Sequence, residues 1–260
     1  MFDTGRVTSD TTAALAETMA LSDLADRFRP VVLAGEKTLS VADAFVPILP
    51  MGGLVRGGSV AVRGIGATSV SLALLSDASR QGSWISFVGI DSLGWAAVAR
   101  AGLDLGRTVA IDAPPTARWS TVVAALVDAF DVVVVDPLHQ VGATDARRLS
   151  ARIRERGSVL MCIDASDGRR RFRWPTEPDL AISVAESRWS GLGAGSGHLD
   201  GRVVSVSVTG RRAADRRRRT ELRLTGTGVE VIETVFDESL APAEPLEPGD
   251  SPTRHLRRVG

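Results

Sequence analysis

Ser59-Val60-Ala61-Val62-Arg63-Gly64-Ile65-Gly66-Ala67-Thr68-Ser69 is the stretch whose reading decides the fold. A short apolar strand runs into a glycine-containing loop, and small residues with leucines continue from Ala67 to Leu75 in a helical pattern. A strand, a glycine loop and a helix in that order aim backbone N–H groups and a helix N-terminus at a phosphate. A working nucleotide loop has the form GxxxxGK(S/T), with glycines for curvature, lysine for the β- and γ-phosphates and a hydroxyl for magnesium. Aligned on Gly66, this chain has Ala67 where the lysine belongs and Ala61 where the first glycine belongs, and the loop is about two residues short. Lys37 is the only lysine and lies far upstream. Arg63 is always charged, but its stiff fork cannot follow a close-wrapped loop as an ammonium does. Arg63, Gly64, Gly66, Thr68 and Ser69 therefore read as a degenerate nucleotide site, with no catalytic residue and no turnover expected.

Outward from the loop, the pattern alternates. Trp84 to Ile90 is strand-like, Leu93 to Ala101 helical, Thr108 to Ile111 a strand, and Ser120 to Phe130 a helix. Asp131-Val132-Val133-Val134-Val135-Asp136 is a four-valine strand ending in a carboxylate, about 70 residues after Gly66. Such a strand orders Mg²⁺ in phosphate-loop proteins, so Asp136 joins the degenerate site. Ala143 to Arg156 is a helix with Ala146, Leu149 and Ile153 facing the core, and Ser158 to Ile163 is the next strand. Continuous apolar strands between helices indicate an α/β fold with a mostly parallel sheet covered on both faces. Leu180–Val184, Arg202–Val208, Glu221–Leu224 and Val229–Ile232 read as shorter strands that finish one edge in antiparallel pairs. Residues 9–28 form an amphipathic helix ahead of Pro30, and Pro242, Pro245, Pro248 and Pro252 alternate with acidic residues in a tail of disordered composition. The expected organisation is an N-terminal helical segment over 1–46, a core domain over 47–236 and a tail over 237–260.

Composition narrows the function classes. The chain has 260 residues, 44% hydrophobic and 24% charged, enough to fill a sizeable core. Lysine plus arginine and aspartate plus glutamate are both 31, so nucleic-acid binding would need a local basic patch. One cysteine, Cys162, excludes an internal disulfide, and with three histidines leaves little for a metal site. Cys162 reads as a buried strand residue. His139 and His198 are given no chemical role. No cofactor is expected. No apolar run approaches the ~18 residues of a membrane span and the N-terminus lacks a signal pattern, so a cytoplasmic protein with no membrane partner is expected.

Three segments resemble RecA and its relatives. Pro50-Met51-Gly52-Gly53-Leu54-Val55-Arg56-Gly57-Gly58-Ser59-Val60 is similar to the P-x-G-G-L-x-R-G approach to the RecA core. Ala99-Arg100-Ala101-Gly102-Leu103-Asp104-Leu105 is similar to the segment after the second core strand, and Phe130 to Asp136 to the magnesium-ordering strand. The resemblance runs from about Leu49 to Arg211 and implies a RecA-like core. The family's catalytic glutamate falls at Ile90, beside Asp91, so lysine and glutamate are lost together. With Arg188-Trp189-Ser190-Gly191-Leu192-Gly193 and Gly197-His198-Leu199 in its later part, the chain resembles the ImuA-prime family of actinobacterial mutasome proteins. That resemblance implies a non-catalytic RecA-like pseudo-ATPase that acts in SOS mutagenesis and translesion synthesis and collects at the nucleoid after DNA damage. Its implied partners are ImuB, an inactive Y-family polymerase homologue, and through it an error-prone C-family polymerase and the sliding clamp. Single-stranded DNA and RecA are further candidate partners. The rival readings are a SulA-like division inhibitor that binds FtsZ and a weak DNA-dependent ATPase.

Candidate contact surfaces follow. Arg169, Arg170, Arg171, Phe172, Arg173 and Trp174 follow a core strand, where a RecA-like protein sends out a DNA-contacting loop. Charge could hold the backbone while the aromatics stack on bases, and the plainer alternative folds those aromatics onto the core. Arg211-Arg212-Ala213-Ala214-Asp215-Arg216-Arg217-Arg218-Arg219 reads as a turn, either solvated or in contact with phosphates or an acidic partner. Trp189 beside its glycine-rich loop is expected to pack in the core, with a binding role as the alternative. Arg254, Leu256, Arg257 and Arg258, at the end of the tail, are the candidate contact with ImuB.

Overall fold

The computed structural model describes residues 37–90, 93–136, 141–165, 174–192, 197–211, 218–226 and 228–236. The expected N-terminal helix, the C-terminal tail with Arg254, Leu256, Arg257 and Arg258, Arg169 to Arg173, and His139 lie outside them.

The compact unit begins at Thr38. Strand β1 (Thr38–Leu39) pairs antiparallel with β2 (Leu54–Val55), and the 3-10 helix Asp43–Ile48 lies between them in the chain. Phe45, Ile48 and Leu49 of this passage are buried. Residues 38–46 are therefore part of the core domain and not of a separate N-terminal segment.

The remaining strands form one nine-stranded sheet: β3 (Ser59–Arg63), β4 (Ile85–Val88), β5 (Thr108–Ile111), β6 (Val132–Val135), β7 (Val159–Asp164), β8 (Leu180–Leu192), β9 (Gly197–Gly210), β10 (Arg218–Thr225) and β11 (Val229–Phe236). Their order is β11-β10-β9-β8-β3-β7-β6-β4-β5. From β8 to β5 every pairing is parallel, and from β8 to β11 every pairing is antiparallel. The later strands are longer than their apolar runs, because backbone pairing carries β8 on through Ser187-Arg188-Trp189-Ser190 and starts β9 at Gly197, ahead of Arg202.

Helices α1 (Ala67–Arg80), α2 (Trp95–Arg100), α3 (Thr116–Ala129) and α4 (Ala143–Arg156) connect the parallel strands. A strand's side chains alternate between faces, and the valine strand shows the result: Val132 and Val134 join the core cluster that includes Val70 and Leu74 of α1, while Val133 and Val135 join Val123, Leu149 and Ile153 of α3 and α4. Burial on both faces is why these strands read as unbroken apolar runs.

The α1 helix runs a turn and a half past the leucine run because its serines are buried. Ser76 Oγ donates to the Ala73 carbonyl at 2.9 Å, and Ser79 Oγ accepts from Asp104 N at 2.9 Å. The α3 helix starts after Pro115, four residues before the expected start, and Trp119 extends its buried stripe to Val123 and Val127.

Asp128 on α3 fastens α4. Its carboxylate accepts from Arg152 Nε at 2.7 Å and Nη2 at 2.5 Å, and from Arg156 Nε at 3.1 Å. The Arg152 hydrogen bonds, with the charge of both arginines, hold its pKa at about 2. A carboxyl whose folded pKa is depressed contributes stability above its unfolded pKa and loses it as pH falls through the folded value. Asp128→Asn is expected to melt below the parent at pH 7, with the gap closing between about pH 4 and pH 2. Parallel thermal melts across that range check it, and a gap that does not narrow would refute the assignment.

Candidate functional site

The glycine loop joins β3 to α1 at the C-terminal edge of the parallel strands. Only Gly64, Ile65 and Gly66 separate the two elements, and Ala67 N donates to the Gly64 carbonyl at 3.0 Å. Ala61, at the position of the missing first glycine, is inside β3, paired with Cys162 and Ala181. The loop is thus a tight turn and not a wrap. Gly64 and Gly66 have φ of 106° and 108°, where a Cβ is strained. A Cβ on Gly64 would stand 2.1 Å from the Val184 carbonyl oxygen of β8.

The space over Gly66 belongs to Arg202 of β9. A Cβ on Gly66 would meet the Arg202 guanidinium at 2.8–3.0 Å. Arg202 is only 9% exposed, its Nε donates to Ser187 Oγ, and its Cζ lies 5.0 Å from the centre of the Trp189 ring. A cation beside the positive end of a helix is unfavourable by about 0.3–1 kcal/mol at the surface, and burial lowers the guanidinium's pKa below its ordinary value. The ring's π face and the Ser187 hydroxyl offset that cost. Trp189 is 58% exposed and forms this lid-like stack, which corrects the expected core packing.

Arg63 ends β3, exposed, in register with Asp164 of β7 and Ser183 of β8. Thr68 and Ser69 are half-buried in the first turn of α1. Asp136 follows β6, half-buried, with its backbone N–H on the Val88 carbonyl at 3.2 Å. The order β3-β7-β6 puts Asp136 two strands from Arg63, about 10 Å at the usual spacing. Asp164 stands at the end of the strand between them. Sequence thus brought the loop and Asp136 to one edge. It gave no sign of Arg202, Ser187 or Asp164, because their approach depends on strand pairings between distant segments. Ile90, at the position of the catalytic glutamate, packs against the core.

Beside the loop is a cavity of about 520 Å³, lined by Ser69, Ala73, Arg100, Trp189, Arg202 and Thr225 among others. Its walls are mainly small or apolar, with a guanidinium on α2 and another on β9. A triphosphate and its magnesium do not fit the residues at its loop end. The first turn of α1 carries Ala67 in place of an ammonium, the turn is too tight to wrap phosphates, and Arg202 covers Gly66. Among the described residues no group of His, Cys, Asp and Glu could hold a metal ion, and no helix is long and apolar enough to cross a membrane.

Of the arginine–aromatic candidate, only Trp174 is described. It is 4% exposed and its ring centre lies 6.3 Å from that of Trp119. Trp174 is a core residue and cannot stack on a base. Of the tract from Arg211, residues 212–217 lie outside the described residues, and Arg218 and Arg219 begin β10. Cys162 is buried and its thiol pKa is pushed up by that burial.

A parallel core with an antiparallel edge, and a glycine turn on the same edge as a strand-end aspartate, make an α/β fold of the RecA-like kind. Among solved structures, a chain described as the RadB recombinase matches with a TM-score of 0.51 at 14% identity, over 78% of this chain and 100% of that one. A family model described as the MT3502 N-terminal domain matches residues 47–169, which include the loop and Asp136. No curated protein matches.

Proposed function

We propose that the chain is a non-catalytic RecA-like accessory protein that helps assemble an error-prone polymerase complex after DNA damage by binding ImuB. The observation that carries the non-catalytic half is the Arg202 guanidinium over Gly66, next to an alanine where phosphate transfer needs an ammonium. The accessory half rests on the resemblance of the RecA-like segments and of Arg188 to Leu199 to ImuA-prime proteins. In this reading the strand–loop–helix unit is kept as a rigid scaffold, and its partner would be met by other surfaces, including the tail with Arg254, Leu256, Arg257 and Arg258.

Two assays test the reading. Phosphate release from Mg-ATP, with and without single-stranded DNA, is expected at background for the parent and for Asp136→Asn alike. Affinity capture from DNA-damaged cells is expected to retain ImuB. Turnover abolished by Asp136→Asn would establish an ATPase instead, and inhibition of FtsZ polymerisation without ImuB capture would establish a SulA-like protein.

A further inference from the structure

At the edge opposite the glycine loop, where the parallel strands begin, a second cavity of about 300 Å³ is lined by Arg147, Ser150, Arg154, Thr176, Glu177 and Arg211, with Ser59 and Asp179 at its base. Asp179 is committed to the fold: its carboxylate accepts from Ser59 N at 2.9 Å and from Ser59 Oγ at 2.8 Å, tying the start of β3 to that of β8. Arg147 and Arg154 are seven residues apart on α4, two turns and about 10 Å along one stripe that also carries Ser150. Arg211 follows β9, held by its N–H on the Asp179 carbonyl at 3.1 Å.

The charges on this face do not balance. Arg211 pairs with Glu177 at 3.3 Å, but among the described residues no carboxylate pairs with Arg147 or Arg154. On the neighbouring stripe of the same helix, Arg152 and Arg156 are both fastened to Asp128. Three guanidinium groups against the carboxylates of Glu177 and Asp179 leave a local positive excess in a chain of zero formal net charge, and it sits on the exposed Arg147 and Arg154.

We infer that this face binds the phosphate backbone of duplex nucleic acid, with Arg147, Arg154 and Arg211 as the contacts. The chemistry of the lining selects the partner. Protein hot spots centre on buried aromatic or apolar anchors, and the apolar residue in this lining, Ile153, is 1% exposed and already packed in the core, so among the described residues the cavity offers a partner no free apolar anchor site. Single-stranded binding adds aromatic platforms for unstacked bases, and among the described residues no aromatic side chain lines it. Guanidinium forks with polar walls fit an unbroken row of phosphates, where affinity comes from charge and counterion release. Contact of this kind is independent of base sequence.

The test is fluorescence anisotropy of a labelled duplex of about 30 base pairs with the full chain, from about 50 to 200 mM salt. The parent is expected to lose affinity linearly on a log–log plot. The triple variant Arg147→Ala, Arg154→Ala, Arg211→Ala is expected to bind at least about tenfold more weakly at low salt and to lose about 1.8 from the slope, about 0.9 for each of the unpaired Arg147 and Arg154, because Arg211 already pairs with Glu177. The matching triple lysine variant keeps the charges and is expected to retain the slope, and Arg152→Ala is expected to leave it unchanged. No salt-dependent duplex binding by the parent, an alanine variant that matches the parent, or displacement of duplex by polyglutamate at equal charge would each overturn the inference.

Discussion

Gly64→Ala is expected to destabilise the fold by about 3–5 kcal/mol, a large share of the roughly 5–15 kcal/mol that holds a domain of ordinary stability. Two effects add. The backbone at Gly64 has φ of 106°, which an L side chain adopts only with strain of about 1–3 kcal/mol. The new methyl would also stand 2.1 Å from the Val184 carbonyl oxygen, and that oxygen belongs to the backbone of β8 rather than to a side chain that can swing away. Relief would require β3 and β8 to part, at the pairing that joins the parallel and antiparallel halves of the sheet. Gly142→Ala is the control. Gly142, the N-cap of α4, has φ of −68° with nothing within 4 Å of its would-be Cβ, so a loss of no more than about 1 kcal/mol, the difference between glycine and alanine as a cap, is expected. Denaturant unfolding of the two variants decides the matter, and equal midpoints would show that the contact at Gly64 is not close.

Phe45→Ala is expected to cost about 3–5 kcal/mol, the usual loss for emptying a fully buried aromatic site. Phe45 is 0% exposed in the 3-10 helix Asp43–Ile48 and belongs to the same core cluster as Leu74, Phe87 and Val206. Its neighbour Val46, 41% exposed, is expected to tolerate alanine at under about 1 kcal/mol. If both substitutions were mild, residues 38–49 would be an appendage and not part of the core.

The contrast between these two positions shows what the sequence could and could not carry. Parallel strands such as Val132–Val135 and α4 with its Ala146, Leu149 and Ile153 face announce themselves, because their periodicity reports local geometry. The loop's departures from a phosphate cradle are equally local, and its shortness is visible as Ala61 inside a strand. Phe45 was less legible: a short 3-10 helix with Pro47 inside it has no apolar period, and its burial depends on a sheet formed later in the chain. Arg202 over Gly66 was invisible for the same reason, since the two are 136 residues apart and meet only through the pairing of β8 with both β3 and β9. Trp174 shows the converse case, in which the sequence left two readings open and the structure takes the plainer one. An aromatic among arginines suggests a binding loop, but a large ring with a core ring in reach is more stable buried.

The β8 strand leads two lives. Over Leu180–Ser183 it is braced on both sides, by β3 and by β9, whereas Ser187–Leu192 pairs with β9 alone. That outer stretch behaves as a cantilever, and it carries the hydroxyl and the indole ring that hold the guanidinium in place. Its ladder is held on one side only, so the backbone amides of Ser187–Ser190 are expected to exchange faster than those of Ala181–Ser183, by local opening that costs less than global unfolding.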